Sequence, residues 1–187
     1  VMESFPIFIN LKKKPVTVIG GGDIALRKVK LLLKANPNIT LISRQICKDL
    51  KELLAKNNHK ILHKNFHEDD LKEPVLIVAA TNNAKTNKRI SAYAQKKNIL
   101  INVVDQPKLC TFTMGSIVER DSLVVSISSG GKAPVLVRKI REKIETLLPQ
   151  SYVELVRLSG NLRSIVKKKI QSGVKKRIFW EEFFESD

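Results

Sequence analysis

Three short stretches of this chain combine residue types and spacings that can do chemistry. In the first, Gly20-Gly21-Gly22-Asp23-Ile24-Ala25, an apolar run from Val16 leads into a glycine turn. Gly20 permits a tight strand-to-helix turn. Gly22 has no side chain, so a pyrophosphate can approach the backbone, and Ala25 is small enough for a helix to pack on the strand. The helix N-terminus adds free N–H groups and the positive end of its dipole. The pattern predicts a dinucleotide pyrophosphate held by Gly20, Gly22, Asp23 and Ile24. An Asp or Glu that would hold an NAD ribose is expected at the end of the next apolar run, but Ser43-Arg44-Gln45 stands there. Arg44 could meet the 2′-phosphate of NADP, and Gln45 or backbone groups could equally hold the ribose of NAD.

The second stretch ends at Asp105, after the apolar run Ile99–Val104. Ligands of parallel sheets collect at the carboxyl ends of strands, and a carboxylate there can accept a proton. A turn-forming role ahead of Pro107 is the plainer alternative. Thr81 and Asn82 end a neighbouring run and are expected to face the cofactor. The third stretch is Ser128-Ser129-Gly130-Gly131-Lys132-Ala133-Pro134. Pro suits a first helical turn. Ser129, Gly130, Gly131 and Lys132 make a plausible nest for carboxylates.

Other groupings carry less. His59, His63 and His67 recur every four residues, but Ile61, Leu62 and Phe66 between them suggest a strand running into a loop, so no metal site is expected. Ser129 has no histidine in a motif beside it, which argues against a hydrolase triad.

Elements must position these groups. Strand-like runs at 16–20, 39–43, 60–65, 75–81 and 99–105 alternate with helical patterns at 23–35, 48–56 and 87–97. That alternation predicts an α/β fold, a Rossmann-like parallel sheet with helices on both faces, over residues 1–113. After it, extended runs at 111–119 and 122–128 read as an antiparallel hairpin, followed by a helix at 134–148. Together they are expected to form a smaller α+β dimerisation region over 114–150. A C-terminal helical region, 151–187, holds a helix at 152–170 and an aromatic segment at 178–184.

The net charge of +16 favours anionic partners. No run approaches the ~20 apolar residues of a membrane span, and two cysteines are too few for a disulfide framework. With no secretory pattern at the N-terminus, a cytoplasmic setting is expected. The cluster of lysines at 167–169 with Lys175, Lys176 and Arg177 has only sparse aromatic interleaving and no recognised nucleic-acid motif, which argues against a nucleic-acid partner.

Phe5-Pro-Ile-Phe8, Val18–Ala25, Ala79-Ala-Thr-Asn82, Asn102-Val-Val-Asp105 and Ser128–Pro134 occur in this order. Together they resemble the precorrin-2 dehydrogenase/sirohydrochlorin ferrochelatase family. The tail Lys176–Phe184 is similar to the matching region of multifunctional siroheme synthases. The resemblance implies an anionic tetrapyrrole substrate, NAD as hydride acceptor with NADP not excluded, ferrous iron as a second substrate, and a homodimer. It also implies that Asp105 serves both dehydrogenation and iron insertion, and it puts the Ser129–Lys132 loop at the tetrapyrrole. A non-catalytic dinucleotide-sensing module is the alternative. It would need neither Asp105 nor that loop.

Overall fold

A computed structural model describes residues 3–185. It divides into two compact units, Val1–Met114 and Gly115–Asp187. In the first, β1 (Pro15–Ile19), β2 (Asn38–Ile42), β3 (Lys60–Leu62), β4 (Leu76–Ala79) and β5 (Leu100–Val103) form one sheet in the order β3-β2-β1-β4-β5. Every pairing is parallel, with Val16 opposite Ile39 on one side and Leu76 on the other. The chain runs outward through β2 and β3, then returns to the other side of β1. Strand order therefore reverses between β1 and β4, and that reversal opens a crevice at their carboxyl ends.

The two-residue period of the strands decides which helix covers which face. Val16, Val18, Leu41, Leu76 and Val78 point to one side and meet Ala25, Leu26 and Val29 of α1 (Asp23–Leu33) and Leu50 and Leu54 of α2 (Lys48–Lys56). The intervening Ile19, Ile42, Ile77, Ala79 and Ile101 point to the other side, against Ile90 and Ala94 of α3 (Ala84–Lys96). Burial on both faces explains why these strands read as continuous apolar runs. Each fully buried leucine or isoleucine contributes about 1.5–3 kcal/mol through removal from water.

The second unit contains the antiparallel pair β6 (Ser116–Arg120) and β7 (Leu123–Ile127), then α4 (Pro134–Leu147), α5 (Ser151–Lys169) and α6 (Gly173–Glu185). Asp121, with φ of 54°, makes the hairpin turn. The Arg120 guanidinium donates to the Leu148 and Glu145 carbonyls at 2.6 and 3.1 Å, tying β6 to the end of α4. Two expectations change. Strand β6 starts at Ser116 rather than Thr111, because Thr111 is used to extend the β5 edge: its N–H donates to the Ile101 carbonyl and its hydroxyl accepts from the Ile101 N–H. The aromatic tail is part of the full helix α6, in which Phe179, Trp180 and Phe183 pack ring on ring.

Two of the three histidines serve separate structural purposes. His59 Nδ1 accepts from the Ile39 N–H at 3.3 Å, and His67 caps a 3-10 turn at Glu68–Asp70. Among the described residues no group of three or more His, Cys, Asp or Glu side chains is placed to hold a metal. Burial lowers the His59 pKa below its ordinary 6.5. The folded state therefore binds the proton less readily than the unfolded state does. The stability this contributes is complete above pH 6.5 and is lost as pH falls through the lowered folded value. In urea titrations at pH 7.5 and 5.5, the wild type is expected to lose more stability on acidification than His59→Gln, and an equal loss in both would refute this assignment.

Candidate functional site

The crevice at the reversal point is held open by close backbone contacts. Gly20 has φ of 115°, and a Cβ there would lie 2.1 Å from the Ala80 carbonyl oxygen, in the turn after β4. A Cβ on Gly21 would lie 2.1 Å from the Gln45 carbonyl oxygen, in the turn after β2. The Cys47 N–H donates to the Gly21 carbonyl at 2.8 Å and fixes that second approach. Gly22 differs: a Cβ there meets nothing within 4 Å. Open space thus stands over the start of α1, and no side chain caps that helix. Free N–H groups and the positive helix end face the space, so the residues present fit a dinucleotide pyrophosphate.

These turns surround a cavity of about 1340 Å³. Gly20, Gly22, Asp23 and Ile24 line it from the first turn, and Arg44 and Gln45 from the second. Thr81 and Asn82 line it from the turn after β4. All eight residues singled out for a cofactor therefore share one cavity. Thr81 is already engaged: its hydroxyl donates to Asn87 Oδ1 at 2.6 Å, and Asn87 Nδ2 donates back to the Thr81 carbonyl at 3.1 Å. Asn83 then caps α3 by accepting from the Thr86 N–H at 2.9 Å. That cap starts α3 at Ala84, three residues before the expected Asn87.

Lys64, Phe66 and Arg89 also line the cavity, and sequence reasoning did not single them out. Lys64 and Phe66 lie in an irregular segment after β3 that carries no motif. Arg89 is one turn into α3. Lys64 pairs with Asp70 at 2.6 Å, and Arg89 pairs with Glu68 at 3.5 Å and sits 5.7 Å from the Phe66 ring centre. Burial pushes the Asp70 carboxyl up, but the hydrogen bond from Lys64 and the His67 N–H outweigh it and leave Asp70 below its ordinary value.

Asp105 is outside the cavity lining and exposed, on the same carboxyl edge of the sheet. It follows β5 by two residues with φ of 58°, and the preceding Val104 N–H donates to the Ala79 carbonyl at 2.9 Å. Cys110 steadies this turn, its Sγ accepting from the Val103 N–H at 3.1 Å. Lys28 of α1 faces the same region. Burial lowers its pKa, an effect that the negative charge of Asp105 opposes. The Ser129–Lys132 loop belongs to the second unit, between β7 and α4. Ser129 Oγ accepts from the Ala133 N–H at 3.0 Å, and Gly130 and Gly131 have φ of 61° and 83°.

Fold and site together define an α/β dinucleotide-binding domain followed by a second unit of one β-hairpin and three helices. Residues 7–116 match the family described as "Putative NAD(P)-binding". Residues 120–147 match the sirohaem biosynthesis protein central region, and 151–187 the sirohaem synthase dimerisation region. The chain belongs to this NAD(P)-binding family, in the sirohaem synthase arrangement that its motifs resemble. It is 49% identical over 183 residues to the siroheme synthase of Ruthia magnifica subsp. Calyptogena magnifica, covering 98% of this chain. It is 45% identical over 184 residues to that of Methylobacillus flagellatus, again covering 98% of this chain. The chain spans 39% of the length of each of these relatives. A solved structure described as SirC, precorrin-2 dehydrogenase, shares the fold, with a TM-score of 0.79 and 24% identity across 98% of this chain and 90% of that one.

The two glycine contacts separate folding from binding. Gly20→Ala places a Cβ against backbone at a positive φ and is expected to cost about 3 kcal/mol or more. Gly22→Ala is expected to unfold at nearly the wild-type temperature. Equal melting temperatures for the two variants would contradict the packing described here.

Proposed function

We propose that this chain oxidises precorrin-2 to sirohydrochlorin with a nicotinamide dinucleotide, NAD in the first instance, and then assists insertion of ferrous iron. The observation that carries the reading is the single cavity at the strand-order reversal, which gathers all eight expected cofactor residues in a chain matched by the NAD(P)-binding and both sirohaem models.

In this reading Gly20, Gly22, Asp23 and Ile24 hold the pyrophosphate through backbone N–H groups. Arg44 and Gln45 hold the adenosine ribose, and Thr81 and Asn82 shape the nicotinamide end. A bound nicotinamide supplies the hydride acceptor. Asp105 takes the proton that leaves the macrocycle with the hydride, so substrate and NAD⁺ give sirohydrochlorin, NADH and one proton. In the second step ferrous iron displaces two pyrrole protons, and the same carboxylate receives them in turn. Ser129, Gly130, Gly131 and Lys132 bind substrate carboxylates. The positive charge of the chain assists approach of such a polyanion.

A homodimer built through the second unit fits this reading. Leu158 and Ile165 of α5 and Val174 of α6 are large apolar residues about half exposed or more, within the region that matches the dimerisation model. Sedimentation of the full chain is expected to give a dimer that Leu158→Glu with Ile165→Glu converts to monomer. A wild-type monomer at micromolar concentration would count against it.

Asn tolerates the left-handed backbone that Asp105 adopts, so Asp105→Asn tests the carboxylate without disturbing the turn. With precorrin-2 and NAD, followed by absorbance of the reduced cofactor, the variant is expected to lose about 100-fold in turnover. Its affinity for NADH is expected to be retained. A wild type that reduces neither NAD nor NADP would end the dehydrogenase reading.

A further inference from the structure

A second cavity in the first unit, of about 180 Å³, lies against the face of the sheet that carries Ile19 and Ile42. The register puts Lys60, Thr40, Thr17, Ile77 and Ile101 in one row across all five strands. On β4 and β5 the row is apolar, and Ile90 and Ala94 of α3 pack against it. On β3, β2 and β1 it is polar, and the irregular segment after β3 covers it. Lys64, Asp70 and Lys72 of that segment line the same cavity as Thr17 and Thr40, and Leu71 is buried with Ile19 and Ile42. Parallel strands covered on both sides are normally apolar throughout, so a polar half-row at the centre of the sheet departs from what packing alone favours.

Thr17 is 4% exposed on the central strand, yet its hydroxyl makes no hydrogen bond with any described residue. Among the described residues no fully buried side-chain oxygen lacks a partner, so the Thr17 hydroxyl must open into the cavity. Thr40, its cross-strand neighbour, is likewise unpartnered. Valine would fill either place without desolvating a hydroxyl. The charges around these hydroxyls are not balanced. Lys64 pairs with one Asp70 oxygen at 2.6 Å, and the other accepts from the His67 N–H at 3.0 Å. The Asp69 carboxylate lies 3.0 Å from His67 Nδ1 on an exposed side chain. Lys60 and Lys72 have no ion-pair partner among the described residues. Two hydroxyls and two unpaired ammonium groups thus border one small space.

We infer that this cavity binds one small oxyanion, of the size of phosphate or sulfate. The Thr17 and Thr40 hydroxyls donate to it, and Lys60 and Lys72 add charge-assisted hydrogen bonds, which are stronger than neutral ones. The volume is about six times the roughly 30 Å³ that one water molecule occupies, enough for such an ion and too little for a nucleotide. A metal cation does not suit the cavity, because three lysines line it and both Asp70 oxygens are engaged. Lys64 lines this cavity and the larger one, so the ion sits behind a wall of the larger cavity. The site does not depend on what the larger cavity holds.

The test is thermal unfolding of the full chain in phosphate, sulfate and chloride at equal ionic strength, for the wild type, Thr17→Val and Lys60→Gln. Phosphate and sulfate stabilise folded proteins in general, so the quantity read is the excess shift of the wild type over the variants. At about ten times the Kd of the site, the wild type is expected to gain about 2–4 °C beyond the gain of Thr17→Val. The excess is expected to level off with concentration, as occupancy of a site does. Lys60 is exposed, so Lys60→Gln keeps the fold, and it is expected to lose about half of the gain or more. An excess in phosphate alone identifies phosphate as the occupant, and an equal excess in sulfate identifies any oxyanion of that size. Equal shifts in the three proteins overturn the inference, because an ion held elsewhere, at the start of α1 for example, would stabilise all three alike. Should Thr17→Val fail to fold, Lys60→Gln decides on the same terms.

Discussion

The candidate site depends on one constraint, the approach of two backbone turns at the place where strand order reverses. Gly20 lies so close to the Ala80 carbonyl that no side chain fits between them, and its φ of 115° is one that other residues avoid. The pairing of β1 with β4 sets that distance, because Val18 and Ile19 stand opposite Val78 and Ala79. The cavity follows from this register. If β4 were shifted by one residue, its apolar side chains would exchange faces and the turn carrying Thr81 and Asn82 would be displaced. Core packing and site geometry are therefore the same set of contacts seen from two ends of the strands.

Much of this was legible in the sequence. The glycine pattern works through backbone, so its meaning is local: a strand, a turn and a helix within one short segment suffice to read it. The runs around Val78 and Ile101 were legible because burial on both faces leaves them apolar throughout. What was not legible came from chain segments that meet only in three dimensions. Lys64 and Phe66 reach the cavity because β3 pairs with β2, and nothing in their own neighbourhood announces it. Thr111 looked like the start of a hairpin strand. Its hydrogen bonds to Ile101 instead make it an extension of the first unit, a long-range preference that propensity does not express. The histidine spacing shows the opposite case, since a period of four has meaning only on a continuous element, and here β3 ends at Leu62.

The distribution of charge within the first unit makes chemical sense of the excess of lysine and arginine. Cations on the inner wall of the cavity are mostly neutralised locally, Lys64 by Asp70 and Arg89 by Glu68, and such pairs hold the segment after β3 in place. These are partly exposed pairs, each contributing at most about 1 kcal/mol. Their value lies in shaping the wall and in leaving the remaining cation, Arg44, as the charge a ligand would meet.

The carboxyl edge beyond β4 shows a second balance. Asp105 is exposed, and Lys28 approaches it from α1 with its ammonium partly withdrawn from water. Burial alone makes that charge costly, and the nearby carboxylate offsets part of the cost. A negative group arriving on this edge would offset more, whereas removal of the carboxylate would leave the lysine as a half-buried cation with less compensation. The left-handed backbone at Asp105 belongs to the same arrangement. The turn from β5 bends back so that Cys110 and Thr111 return to the strand, and that bend presents the carboxylate outward at the sheet edge. An exposed acid and a half-buried amine on the first helix thus share one end of the sheet, the charge of the acid opposing the burial cost of the amine.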